Sequence, residues 1–177
     1  RQFLAENRLE DALPLCRQYE VLSTNDTDNF LACAWVYFRT ERVDAGEKLL
    51  ERAKKGVSQV ELQTLQAYGF VARGFLPAAE LKNLDEAGKK KYEDTLRLRL
   101  DEAQRRLEPI ISQNRGTVSG KQAQELSAEL YEMKGQLDTA AFIYRGLVGD
   151  EPPSGRVNWG LGRYYAARGD LKRAILH

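Results

Sequence analysis

The chain has 177 residues, of which 42% are hydrophobic, so it is long enough and apolar enough to bury a continuous core. Its 27 Lys and Arg residues are balanced by 26 Asp and Glu residues, which leaves no net field to attract nucleic acid or anionic lipid. The longest apolar run, FLACAWVYF at 30–38, is far shorter than the roughly 20 residues that span a bilayer. We therefore expect a globular chain with no direct membrane insertion and no nucleic-acid partner.

Cys16 and Cys33 are the two cysteines, and His177 is the single histidine. Two cysteines do not make a disulfide framework, and one terminal histidine cannot complete a Cys/His metal set. Apolar neighbours at helical spacing favour buried, reduced thiols over a redox or ligand role. Unpaired cysteines favour a cytoplasmic location, although a periplasmic or membrane-associated location through other regions stays open.

A period of 34 residues relates segments at both ends of the chain. In the C-terminal part the equivalent pairs share residue type, and they are Tyr131 and Tyr165, Gly135 and Gly169, Leu137 and Leu171, and Ala140 and Ala174. In the N-terminal part the same spacing relates Phe3 to Tyr37, Ala12 to Gly46 and Cys16 to Leu50. Such a fixed period is typical of a helical-repeat protein.

The middle of the chain interrupts this period. After Gly74 the best apolar stripe runs through Tyr92, Leu96, Leu100, Ala103, Leu107 and Ile110, which predicts a second helix there. The segment 75–91, with Pro77, Gly88 and the run KKK, is then an insertion between the two helices of one repeat, or a stretch into which both helices extend. It fits a solvated hairpin tip better than a partner-specific element.

At these residues the sequence resembles the tetratricopeptide repeat (TPR) family. The segments that carry the resemblance are LACAWVYF…RVDAGEKLLERA, LQAYGFVARG, SAELYEMKGQLDTAAFIY…EP and GLGRYYAARGDLKRAIL. They place a small residue where two helices cross, namely Ala34, Ala67, Ala128 or Gly162 in the first helices and Ala12, Gly46, Ala140 or Ala174 in the second helices. Gly135 and Gly169 suit a left-handed C-cap, and Pro152 suits a helix stop.

The resemblance implies an all-α, right-handed solenoid of antiparallel helix pairs over 1–177. Its expected parts are a partial repeat at 1–24, repeats at 27–58, 60–114 and 121–153, and a partial repeat at 155–177. We expect the chain to be a fragment of a longer protein, in which cut terminal repeats could support self-association.

The sequence contains no pattern that is typical of an enzyme. Phosphate loops, HExxH and CxxC are absent, and His177 cannot orient a nucleophile. Carboxylates such as those in DEAQRRLEP alternate with arginines, as on a solvated helix face. The cluster Arg97, Arg99, Arg105 and Arg106 with Lys89–Lys91 is likewise interleaved with acidic residues. We predict no catalytic, cofactor or metal site.

In the TPR family the first helices line a concave groove, and the resemblance implies which side chains would face it. The expected partner-binding residues are Leu31, Trp35, Phe38, Tyr68, Glu125, Glu129, Glu132, Arg156, Trp159 and Arg163. FLACAWVYF is apolar nearly all round, which describes a buried helix equally well, so the position of Trp35 stays open. The three glutamates are expected to be solvated, for binding or for solubility alone. Chaperone-tail recognition by lysine and asparagine does not carry over, because leucine, aromatics, threonine and glutamates occupy those places.

These features predict a non-catalytic scaffold or adaptor that binds a peptide or helix of another protein through an apolar anchor beside ordered charges. The alternatives are a regulatory or assembly domain of a larger enzyme or secretion or cell-envelope machine, and, third, an RNA-binding helical repeat.

Overall fold

The computed structural model describes residues 9–21, 27–54, 56–149 and 154–177. Within these ranges the regular structure is helical and no strand occurs, which confirms the prediction of an all-α fold. The helices are α1 (Leu9–Val21), α2 (Thr27–Arg39), α3 (Val43–Ala53), α4 (Gln59–Ala72), α5 (Ala78–Lys82), α6 (Glu86–Gln113), α7 (Val118–Met133), α8 (Leu137–Leu147), α9 (Gly155–Ala167) and α10 (Leu171–Leu176). The first part of the predicted repeat at 1–24 and the stop at Pro152 lie outside the described residues.

The helices belong to two compact units, Arg1–Arg106 and Leu107–His177, whose boundary falls within α6. In the N-terminal unit, α2 packs against α1, α3 and α4, and α3 also packs against α4. In the C-terminal unit, α8 packs against α7 and α9, and α9 packs against α10. The helices α1 to α4 of the first unit and α7 to α10 of the second therefore each pack against the next helix in the chain.

Three hairpin turns, between α2 and α3, α7 and α8, and α9 and α10, have the same geometry. The backbone carbonyls of Tyr37, Tyr131 and Tyr165 accept from the N–H five residues later, at 2.8, 2.9 and 3.0 Å. The residue before each donor has a positive φ, namely Glu41 (61°), Gly135 (74°) and Gly169 (76°). This is a Schellman closure, which confirms the predicted C-caps at Gly135 and Gly169 and adds an equivalent turn at Glu41.

Small residues allow close helix contacts in both units. Ala34, Ala128 and Ala140 are buried, as predicted for residues at helix crossings. A Cβ atom added at Gly46 would lie 2.6 Å from Cε1 of Phe38, and one added at Gly160 would lie 2.3 Å from Cε2 of Tyr144. Such distances are well inside van der Waals contact, so the aromatic ring fits in each case because the facing residue is glycine.

The segment 75–91 is partly helical. It contains the short helix α5, and α6 begins at Glu86, so residues 86–91 are the first turns of α6, which agrees with the expectation that a helix extends into this segment. Asp85 explains the early start, because its Oδ1 accepts from the backbone N–H of Gly88 at 2.7 Å. Further along α6, the predicted stripe is buried at Leu100, Ala103, Leu107 and Ile110.

The prediction of reduced cysteines was wrong. Cys16 of α1 and Cys33 of α2 are both buried, as expected, but they form a disulfide with Cα atoms 5.3 Å apart. The pairing depends on how α1 packs against α2, which the spacing within each helix does not encode. The bond also removes the argument from unpaired thiols for a cytoplasmic location, because disulfides persist mainly in oxidising compartments.

None of the helices in the described ranges combines the length and the apolar character needed to cross a membrane. Within the same ranges, no three His, Cys, Asp or Glu side chains are grouped so that they could hold a metal ion.

Candidate partner-binding surface

The predicted groove residues of the N-terminal unit lie mainly in its core. Leu31, Phe38 and Tyr68 are buried, and Phe38 is only 1% exposed. Trp35 is half-buried, and the centroid of its ring lies 4.5 Å from that of Tyr68. Because α2 packs against three other helices, its apolar side chains are covered on most sides. Phe38, Leu31 and Tyr68 therefore pack within the unit instead of facing an open groove.

In the C-terminal unit, the helices α7 and α9 bring predicted residues together. Glu129 and Glu132 of α7 face Arg156 and Arg163 of α9, and Trp159 lies between the two arginines on the same stripe of α9. We call these five residues the Trp159 cluster. Glu125, the third predicted glutamate, is half-buried one turn before Glu129 on α7. Ser154 begins α9 by accepting from the N–H of Val157 at 3.3 Å, which sets where this stripe starts.

Glu129 is buried, whereas the sequence predicted a solvated side chain. The residue is 6% exposed, and its Oε2 lies 3.8 Å from Nε of Arg156. The guanidinium compensates the carboxylate where water has been largely removed. The glutamate stripe is therefore part of the contact between α7 and α9, which explains why its character could not be judged from α7 alone.

One carboxylate oxygen of Glu132 accepts two hydrogen bonds. Its Oε2 accepts from the hydroxyl of Tyr144 at 3.1 Å and from Nη2 of Arg163 at 2.6 Å. Burial raises the pKa of the Glu132 carboxyl above its ordinary value, while Arg163 and the Tyr144 hydroxyl oppose that rise. Burial also raises the pKa of the Tyr144 phenol, and the charge of Glu132 adds to the effect. At neutral pH the phenol therefore stays a hydrogen-bond donor.

Tyr144 of α8 is a member of this polar network that the sequence did not predict. Its ring packs in the core of the C-terminal unit with Ala128, Ala140 and Leu161. In the sequence, Tyr144 lies four residues after the small residue Ala140, just as Cys16 follows Ala12 and Leu50 follows Gly46. The hydroxyl of Tyr144 was the signal from which a polar contact could have been predicted, because a buried tyrosine needs a hydrogen-bond partner.

Trp159 is the exposed member of the cluster. The residue is 59% exposed, and the guanidinium of Arg163 lies 5.9 Å from the centroid of its ring. The side chain of Arg163 is 53% exposed, whereas that of Glu132 is 11% exposed. Since α9 carries two arginines and no acidic residue, the outer part of the cluster is aromatic and positively charged and the inner part is negatively charged.

A depression of about 330 Å³ lies in the N-terminal unit. Phe70, Glu47, Arg73 and Arg106 are among the residues that line it. Arg73 donates to both carboxylate oxygens of Glu47 at 3.2 and 2.6 Å, and the guanidinium of Arg106 lies 4.3 Å from the ring centroid of Phe70. These groups pair with one another, and neither lining aromatic, Phe38 or Phe70, is largely exposed, so the depression presents no aromatic anchor of the kind that Trp159 provides.

Three basic residues of α6 form ion pairs along their own helix. Lys89 pairs with Glu86 at 2.9 Å, and Arg105 and Arg106 pair with Glu102 at 2.8 and 2.9 Å. Such local compensation weakens the field that would attract a phosphate backbone.

No protein-family model matches the chain, and neither a curated protein nor a solved structure matches it.

Proposed function

We propose that the chain is a non-catalytic scaffold of the tetratricopeptide-repeat type, which binds a segment of another protein at the Trp159 cluster. In this proposal the helix pairs stack as a right-handed solenoid, and the partner segment lies across the first helices α7 and α9.

Support for the repeat arrangement comes from the three Schellman turns and from the small residues at the helix crossings. Support for the binding site comes from a single observation. The exposed Trp159 lies on one helix stripe between two arginines, and each arginine forms an ion pair with a glutamate of α7. A large ring on a supported helix face loses little entropy on binding, and tryptophan and arginine are the side chains that most often dominate binding energy at protein interfaces.

Panning a library of linear peptides on the purified protein tests the proposal. We expect enriched peptides to lose about tenfold or more in affinity for Trp159→Ala, because the anchor contributes most of the binding energy. Phe142→Ala is the matched control, since Phe142 is an aromatic of α8 that is 76% exposed and lies outside the cluster. Peptides that bind all three proteins equally, or no enrichment at all, would refute this function.

A further inference from the structure

From the layering of charge in the Trp159 cluster we infer that the bound segment is acidic, with an apolar side chain next to its carboxylates. This inference rests on the proposed function and specifies the chemistry of its partner. It reverses the simplest expectation from the sequence, in which three glutamates would attract a basic segment.

The argument begins with what each side chain presents at the surface. The carboxylates of Glu129 and Glu132 are largely covered, with side-chain exposures of 8% and 11%. The arginines above them retain more contact with water, 28% for Arg156 and 53% for Arg163. A segment that approaches this face meets guanidinium groups first, and it meets the glutamates only behind them.

Geometry then favours a carboxylate beside an apolar group. Arg156, Trp159 and Arg163 follow one another at spacings of three and four residues, so the ring lies on one stripe between two positive charges. Arginine presents several N–H donors in a planar fork, and a carboxylate matches that fork. An aliphatic side chain on the ring, with an acidic residue toward Arg163, would satisfy both features.

A basic segment would face the opposite balance. Its charges would approach Arg163 and Arg156 before reaching Glu132, and like charges at an interface oppose association. The Glu132 side chain is only 11% exposed and its Oε2 already accepts from Arg163 at 2.6 Å and from the Tyr144 hydroxyl, so little of this carboxylate is open to a basic segment.

Two charge variants test the inference with peptides that are acetylated and amidated, so that terminal charges do not contribute. We expect selected peptides to be rich in Asp and Glu, and Arg163→Gln to weaken their binding about two- to fivefold at low salt, with a smaller effect at high salt. Glu132→Gln should tighten their binding, because it weakens the hold on Arg163 and removes a negative charge from the cluster. Arg168→Gln is the matched control, since Arg168 is an exposed arginine that pairs with Asp138 of α8 outside the cluster.

The outcomes separate this inference from the proposed function. Enrichment of Lys and Arg in peptides that still require Trp159 would overturn the acidic partner and leave the scaffold in place. Loss of binding in Glu132→Gln with no effect of Arg163→Gln would overturn it as well. If no peptide depends on Trp159, the scaffold and the acidic partner both fail.

Discussion

The hydroxyl of Tyr144 and Nη2 of Arg163 donate to the same oxygen of Glu132, from two different helices. Glu132 on α7 is thereby joined to α8 and to α9 at one atom. A side chain placed for core packing and a side chain placed at the surface thus share one acceptor, which connects the stability of the unit to its proposed binding face.

Tyr144→Phe tests this connection. The substitution keeps the ring against Gly160 and removes the hydrogen bond to a carboxylate, so we expect the free energy of unfolding to fall by about 1–3 kcal/mol. Urea unfolding followed by circular dichroism measures the change. Tyr165→Phe is the control on α9, outside the Glu132 network, and an equal loss in both variants would argue against a special role for the Glu132 contact.

Gly160→Ala tests the close contact between α8 and α9. The new methyl group would lie 2.3 Å from the Tyr144 ring, so we expect a loss of about 1–3 kcal/mol from overpacking. Gly146→Ala on α8 is the matched control, because a Cβ there meets nothing within 4 Å. In a helix that substitution should be neutral or stabilising, by up to about 1 kcal/mol. Thermal melting compares the two, and similar melting temperatures would contradict the packing described for Tyr144.

Glu132 should make stability depend on pH in a defined direction. Its pKa is raised in the folded chain, mainly by burial, so the unfolded chain loses this proton first as the pH rises. The wild type should therefore lose stability relative to Glu132→Gln as the pH rises above the ordinary glutamate pKa of about 4.3. Urea unfolding of both proteins between acidic and neutral pH measures the difference. An opposite slope would mean that the ion pair with Arg163 outweighs burial.

The disulfide should stabilise the N-terminal unit. It closes a loop with a sequence separation of 17, for which the chain-entropy model gives roughly 3 kcal/mol. The double variant Cys16→Ala/Cys33→Ala should therefore melt earlier than the wild type prepared under oxidising conditions. Alkylation of the denatured protein, with and without a thiol reductant, checks the bond by mass. Two alkylated cysteines without reductant would show that the thiols are free.

The sequence alone determined the features that depend on neighbours along the chain. Gly135 and Gly169 could be assigned to C-caps because a left-handed residue after a helix strongly favours glycine, whatever lies around it. The buried stripe of α6 followed from helical periodicity, and the small residues Ala128 and Ala140 followed from the resemblance to a helical repeat.

Tertiary structure decided which groups meet and which are covered. From the sequence of α7 alone its glutamates were expected to be solvated, but Arg156 and Arg163 of α9 cover Glu129 and Glu132. Cys16 and Cys33 can form a disulfide because α1 packs against α2. Phe38 of α2 and Trp159 of α9 are both aromatic and were both predicted to bind a partner, yet Phe38 is 1% exposed and Trp159 is 59% exposed. The physical reason is that helical periodicity fixes the direction of a side chain relative to its own helix, whereas burial, ion pairing and disulfide formation depend on the positions of the neighbouring helices.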